Sequence, residues 1–109
     1  MNKKIYEIQA EICKTLGNAK RLEILHALKD GELTVSELVE ILGISAANVS
    51  QHLAVMRQKG ILAKRREGVN IYYRVSNAKV TQACNLMKEV LIEQLEEGQR
   101  IVKRMEKVG

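Results

Sequence analysis

Thr34-Val35-Ser36-Glu37-Leu38-Val39-Glu40-Ile41-Leu42-Gly43-Ile44-Ser45-Ala46-Ala47-Asn48-Val49-Ser50-Gln51-His52-Leu53-Ala54-Val55-Met56 is the stretch on which the fold turns. Glu37 follows Thr34 by three residues, the spacing of a capping box, so Thr34 or Ser36 opens a helix. Leu38, Val39, Ile41 and Leu42 give that helix an apolar side, and Gly43 ends it. Ile44 fills the turn. Ser45 is suited to cap a second helix, on which Val49, Leu53 and Met56 recur at spacings of four and three. Gly60 closes it. Two short helices joined by a glycine turn, with their apolar faces turned towards each other, have the layout of a helix-turn-helix.

Downstream, the period changes. Leu62-Ala63-Lys64-Arg65-Arg66-Glu67 and Asn70-Ile71-Tyr72-Tyr73-Arg74-Val75 are two short strand-like runs, with Gly68-Val69-Asn70 supplying the turn. A hairpin in that place is the wing of a winged helix. Ser76-Asn77 then caps a long helix to about Lys107. Val80, Cys84, Met87, Leu91, Gln94, Gly98, Ile101, Met105 and Val108 alternate by four and three along it, a heptad seam. Upstream, Ile5, Ile8, Ile12 and Leu16 mark a first helix from about Lys3, and Gly17 stops it. Asn18 caps a second helix with Leu22, Ile24, Leu25 and Leu28 on its apolar face and His26 partly buried among them. The expected fold is mainly α (α+β), a winged helix-turn-helix of four helices, a two-stranded hairpin and a fifth helix. A helix as long as the last cannot hide its seam on so small a domain, so a second copy of the chain is the expected cover.

Charge is as localised as the pattern. From Arg57 to Arg74 the chain carries Arg57, Lys59, Lys64, Arg65, Arg66 and Arg74 against Glu67 alone, a net +5. The whole chain is also +5, so this strip holds the entire excess. Such a strip attracts a polyanion through release of its condensed counterions, and double-stranded DNA is the expected partner. The 109 residues read as a single domain, residues 1–109. No apolar run is long enough to span a membrane, and the N-terminus turns acidic at Glu7 where a signal peptide needs an apolar run. A cytoplasmic protein is expected, with its two cysteines reduced. Paired catalytic carboxylates, a glycine-rich phosphate cradle and a Cys–His dyad are all missing, so no enzyme is expected. A winged helix that serves only as a protein-interaction module is the competing reading. The basic wing and the end of the chain at Gly109 argue against it.

The segment from Gly17 to about Val90 resembles the ArsR/SmtB family of bacterial and archaeal winged-helix repressors. The resemblance rests on Leu16-Gly17-Asn18-Ala19-Lys20-Arg21-Leu22-Glu23-Ile24-Leu25, Leu33-Thr34-Val35-Ser36-Glu37-Leu38, Ser45-Ala46-Ala47-Asn48-Val49-Ser50-Gln51-His52-Leu53 and Gly68-Val69-Asn70-Ile71-Tyr72-Tyr73-Arg74-Val75. It implies a homodimer joined through the first and last helices, and a repressor that leaves its operator when an inducer binds. The expected dimer seam is Ile5, Ile8, Ile12, Val80, Cys84, Met87, Leu91 and Ile101. Metal sensing in the family uses two cysteines in the third helix or Asp and His ligands along the last. Thr34-Val35-Ser36-Glu37 stands at the first place, and Asn77, Lys79, Val90 and Glu93 at the second. A tetrahedral zinc site needs three or four donors, so no zinc is expected at either.

In this reading the helix from Ser45 to Lys59 enters the major groove. Ala46, Ala47, Asn48, Ser50, Gln51 and His52 lie off its buried stripe. Asn48 and Gln51 match adenine, and the two alanines suit thymine methyl groups. Thr34, Ser36, Ser45 and Ser50 are candidate phosphate donors. Arg57, Lys64, Arg65, Arg66, Asn70 and Arg74 complete the expected DNA surface. Strand alternation places Lys64 and Arg66 on one side and Arg65 on the other, so they cannot all touch DNA in one pose. Cys13 and Cys84 lie on the two helices that the resemblance brings together. They either pack as small apolar residues or sense an inducer, through a soft metal or metalloid ion or through thiol redox chemistry.

Overall fold

The computed structural model describes residues 2–108. Met1 and Gly109 lie outside them, as does the side chain of Val108 at the end of the expected seam. Five helices and two strands follow one another as α1 (Lys4–Leu16), α2 (Ala19–Ala27), α3 (Val35–Leu42), α4 (Ala46–Gln58), β1 (Leu62–Glu67), β2 (Asn70–Val75) and α5 (Ala78–Val108).

Local chemistry sets the boundaries. The Asn18 side chain accepts from the Arg21 amide at 3.2 Å and so caps α2. Thr34, rather than Ser36, caps α3, with a complete capping box to Glu37. Ser45 caps α4 by accepting from the Asn48 amide at 3.1 Å. Each such cap is worth about 1 kcal/mol, because it satisfies an amide that the helix leaves orphaned. Gly43 ends α3 in the left-handed region at φ 69°, a conformation that a side chain resists. Gly68, at φ 62°, does the same for a hairpin whose strands pair from Leu62↔Val75 to Glu67↔Asn70. Leu33 adds a single bridge on the outer side of β2, exchanging backbone bonds with Tyr73 at 3.1 and 2.9 Å.

The core joins Ile24, Leu25 and Leu28 of α2 to Leu38 and Leu42 of α3, Val49, Leu53 and Met56 of α4, and Ile61 and Leu62. Ile12 and Leu16 of α1, Tyr73 and Val75 of β2, and Val80 and Cys84 of α5 pack around it. Two apolar positions assigned inward by the sequence pattern face out. Leu22 is 43% exposed and Ile41 is 59% exposed, because a 3.6-residue period cannot turn all four apolar residues of such short helices inward. His26 is exposed as well, not partly buried, with Nε2 3.3 Å from Lys29 Nζ.

α5 leaves the body of the protein. Its 31 residues span about 46 Å at 1.5 Å per residue. Val80 and Cys84 lie against the chain's own core, but every residue from Leu86 to Lys107 is exposed. Met87, Leu91 and Ile101 of the expected seam are among them, and Ile5 and Ile8 of α1 are exposed too. No single helix among the described residues is long and apolar enough to cross a membrane.

Ile24 is fully buried at the centre of the core. Ile24→Ala is expected to cost about 2–5 kcal/mol, the transfer loss plus a cavity term. Val69→Ala, at the 91% exposed hairpin tip, should stay within about 0.5 kcal/mol. Chemical denaturation at one fixed protein concentration measures both.

Candidate nucleic-acid interface

The buried stripe of α4 decides what the helix presents. With Val49, Leu53 and Met56 fully enclosed, Ala46, Ala47, Asn48, Ser50 and Gln51 are exposed at its N-terminal end, beside the cap residue Ser45. All five are uncharged, so the face can approach a surface closely without displacing a hydrated ion. Ser45 Oγ accepts from the Asn48 amide and keeps its hydroxyl proton for another acceptor. Ser36 is exposed at the start of α3. Thr34 differs, because its hydroxyl donates to Glu37 Oε1 at 3.1 Å and accepts the Glu37 amide at 3.2 Å. Its proton is committed inside the capping box.

His52 is half-buried. Its Nδ1 accepts a hydrogen bond from Arg21 Nε at 3.1 Å, while Arg21 Nη1 donates to the Thr15 carbonyl at 3.0 Å. Partial burial first, and then the Arg21 charge, hold the His52 pKa below the ordinary histidine value. Arg21 is a residue that the sequence pattern left unassigned. Its partner lies 31 positions away, and no local spacing signals the pairing.

The hairpin divides its cations between two faces. Directly opposed residues of an antiparallel pair share a face. Lys64 (opposite Tyr73) and Arg66 (opposite Ile71) therefore lie on one side. Arg65 (opposite Tyr72), Arg74 (opposite Ala63) and Asn70 (opposite Glu67) lie on the other. This is the division that alternation predicts.

The electrostatic inventory is less uniform than a count along the chain. Arg65 Nε contacts both Glu32 carboxylate oxygens at 2.8 and 2.7 Å, and its Nη1 donates to Glu67 at 2.7 Å. The guanidinium also lies 4.7 Å from the centre of the Tyr72 ring. The bonds to Glu67 and then Glu32 push its pKa further up. Lys59 is answered by Glu11 of α1 at 3.7 Å. Two of the six strip cations are thus paired with acids that lie outside the strip in sequence. Arg57, Lys64, Arg66 and Arg74 have no ion pair among the described residues. Arg66 Nε instead donates to the Gly68 carbonyl at 3.1 Å, which steadies the tip.

The two thiols differ in exposure. Cys13 is exposed on α1 and Cys84 is half-buried on α5. Burial first, and then the nearness of Cys13, raise the Cys84 thiol pKa. Among the described residues no group of three or more His, Cys, Asp or Glu side chains is placed to hold a metal ion.

Residues 18–64, which contain the helix-turn-helix and the first part of the wing, match the family model described as bacterial regulatory protein, arsR family. The chain is 36% identical over 94 residues to the biofilm growth-associated repressor of Xylella fastidiosa, covering 86% of this chain and 82% of that one. It is 42% identical over 72 residues to the HTH-type transcriptional regulator KmtR of Mycobacterium tuberculosis, covering 66% of this chain and 55% of that one. Among solved structures, the homodimeric winged helix-turn-helix DNA-binding domain of a possible ArsR-family regulator from Mycobacterium bovis superposes with a TM-score of 0.79. The two are 30% identical, over 89% of this chain and 92% of that one. The order of elements, the capped and outward-facing α4 and the wing behind it agree with these likenesses: the chain belongs to the arsR family of bacterial regulatory proteins.

Proposed function

We propose that this protein is a cytoplasmic, dimeric, sequence-specific transcriptional repressor, without catalytic activity, that leaves its operator when an inducer binds. One observation carries the reading. The exposed N-terminal face of α4 is held outward by a fully buried stripe, on a chain whose following helix end and hairpin carry Arg57, Lys64, Arg66 and Arg74 with no ion pair among the described residues. α4 is the recognition helix, with Ala46, Ala47, Asn48, Ser50 and Gln51 towards base edges and Ser36, Ser45 and His52 towards phosphates. The exposed apolar faces of α1 and α5 supply the dimer contact. A twofold pair sets two recognition helices on a pseudo-palindrome, with half-sites about 34–36 Å apart or a multiple of that. A mobility-shift titration on the DNA upstream of its own gene, alongside sedimentation at micromolar concentration, tests this. A stable monomer, or indifference to that DNA at modest ionic strength, overturns it.

The wing cations have unequal roles in this reading. Arg66→Glu is expected to weaken binding to every sequence and to flatten the salt dependence by about one unit of slope. Arg65→Gln should leave the slope unchanged, since its charge is already matched by Glu32 and Glu67. Gln51→Ala should instead alter sequence preference, by about 1–3 kcal/mol at one position. Binding isotherms at several salt concentrations on matched and scrambled DNA separate the three.

The inducer acts at Cys13 and Cys84 in the same proposal, as a soft metal or metalloid ion or as a thiol oxidant. Support comes from the place of Cys84 against the core on α5, of the exposed Cys13 on α1, and from the upward shift of the Cys84 thiol pKa, to which burial first and then Cys13 contribute. With no cluster of three or more possible ligands among the described residues, two sulfurs suit two-coordinate soft ions or a disulfide. The doubly substituted Cys13→Ser/Cys84→Ser protein should keep DNA affinity but lose release by arsenite, mercury(II), peroxide or polysulfide. Release equal to that of the unsubstituted protein assigns the thiols to packing alone.

A further inference from the structure

Arg21 stands in the first turn of α2, yet its guanidinium joins three helices. It is anchored on α2, donates through Nη1 to the Thr15 carbonyl near the end of α1, and donates through Nε to His52 Nδ1 on α4. Arginine stays protonated in proteins and has no acceptor atom. His52 Nδ1 must therefore present a lone pair, and the proton of the neutral ring sits on Nε2. Partial burial and the adjacent guanidinium both disfavour a second proton. The neighbour that fixes the tautomer thus also keeps the ring neutral. His52 follows Asn48 by four residues and Ser45 by seven, so it shares the side of α4 that carries those two exposed residues. The imidazole nitrogens lie on opposite sides of the ring, and with Nδ1 held by Arg21 the Nε2–H is aimed elsewhere.

We infer that Arg21 is a positioning residue for DNA binding: it clamps His52 as the Nε2–H tautomer, so that the ring donates to a phosphate oxygen. The second bond of Arg21, to Thr15, ties that donor to the C-terminal turn of α1 and so to the element that carries part of the dimer face. The inference rests on the reading of α4 as the recognition helix. Arg21 makes no phosphate contact itself in this arrangement. The alternative is a staple between helices that holds the fold and has no bearing on which nitrogen of His52 carries the proton.

Nitrogen-15 NMR of the histidine rings in the full-length dimer distinguishes these. At pH 7.5, His52 is expected as a single Nε2–H tautomer, and Arg21→Met should convert it to a mixture. DNA affinity of Arg21→Met should fall about tenfold, the size of one hydrogen bond, with the salt slope of the unsubstituted protein. Two further variants keep Arg21 intact, so a poorly folded Arg21→Met does not end the test. His52→Gln places an amide N–H near the position of Nε2 and should lose less than about threefold, whereas His52→Asn places it near Nδ1 and should lose about tenfold. An Nδ1–H or doubly protonated ring, equal affinities of the Gln and Asn variants, or a slope that drops by about one in Arg21→Met overturns the clamp. An unsubstituted protein that ignores DNA sinks the recognition-helix reading. Normal binding with the wrong tautomer sinks only the clamp.

Discussion

The enclosure of Val49, Leu53 and Met56 by α2 and α3 is the contact on which the remaining geometry depends. All three are fully buried, against Ile24, Leu25, Leu38 and Leu42. Burying an aliphatic side chain of this size contributes about 1.5–3 kcal/mol, so rotating α4 about its axis would forfeit several such terms at once. The helix is thereby fixed in rotation as well as in position. Because α-helical residues recur every 3.6 positions, fixing one stripe fixes the opposite one. Asn48 and Gln51 face outward for the same reason that Leu53 faces inward. Capping by Ser45 then sets where the exposed stripe begins.

The wing is held to this platform by different means. A backbone bridge from Leu33 to Tyr73 attaches β2 to the segment ahead of α3. Beside it, Glu32 grips Arg65 of β1, and Tyr72 lies under the guanidinium. These groups are partly exposed, and ion pairs in such settings contribute only about 0–1 kcal/mol to stability. Their effect is on orientation. Two strands that share few side chains with the core are given a defined angle relative to α4. Arg65 is basic in composition but works as a latch, while Arg66 and Lys64 on the opposite face keep unmatched charge.

α1 and α5 combine an inner and an outer role. Ile12, Leu16, Val80 and Cys84 sit against the core, whereas Ile5, Ile8, Met87, Leu91 and Ile101 remain exposed. An apolar surface of this extent on a long helix is the kind that proteins cover by association. Of the two thiols, Cys84 belongs to the inner part of α5 and Cys13 is exposed on α1. Arg21 links α1 to His52 through its bonds to the Thr15 carbonyl and the imidazole. A change in the packing of α1 therefore has a short physical route to α4.

Local signals in the chain were sufficient for the elements themselves. The caps at Asn18, Thr34 and Ser45, the glycine after α3, the hairpin register and the 4-3 stripe on α4 all act over a few residues. Their reading needs no knowledge of distant neighbours. Pairings between remote positions belonged to the tertiary structure alone. Arg21 with His52, Glu32 with Arg65 and Glu11 with Lys59 form because packing brings together groups more than thirty residues apart. A count of charge along the sequence saw six equivalent cations in the strip. Coulomb attraction acts through space, and in space two of the six are already answered.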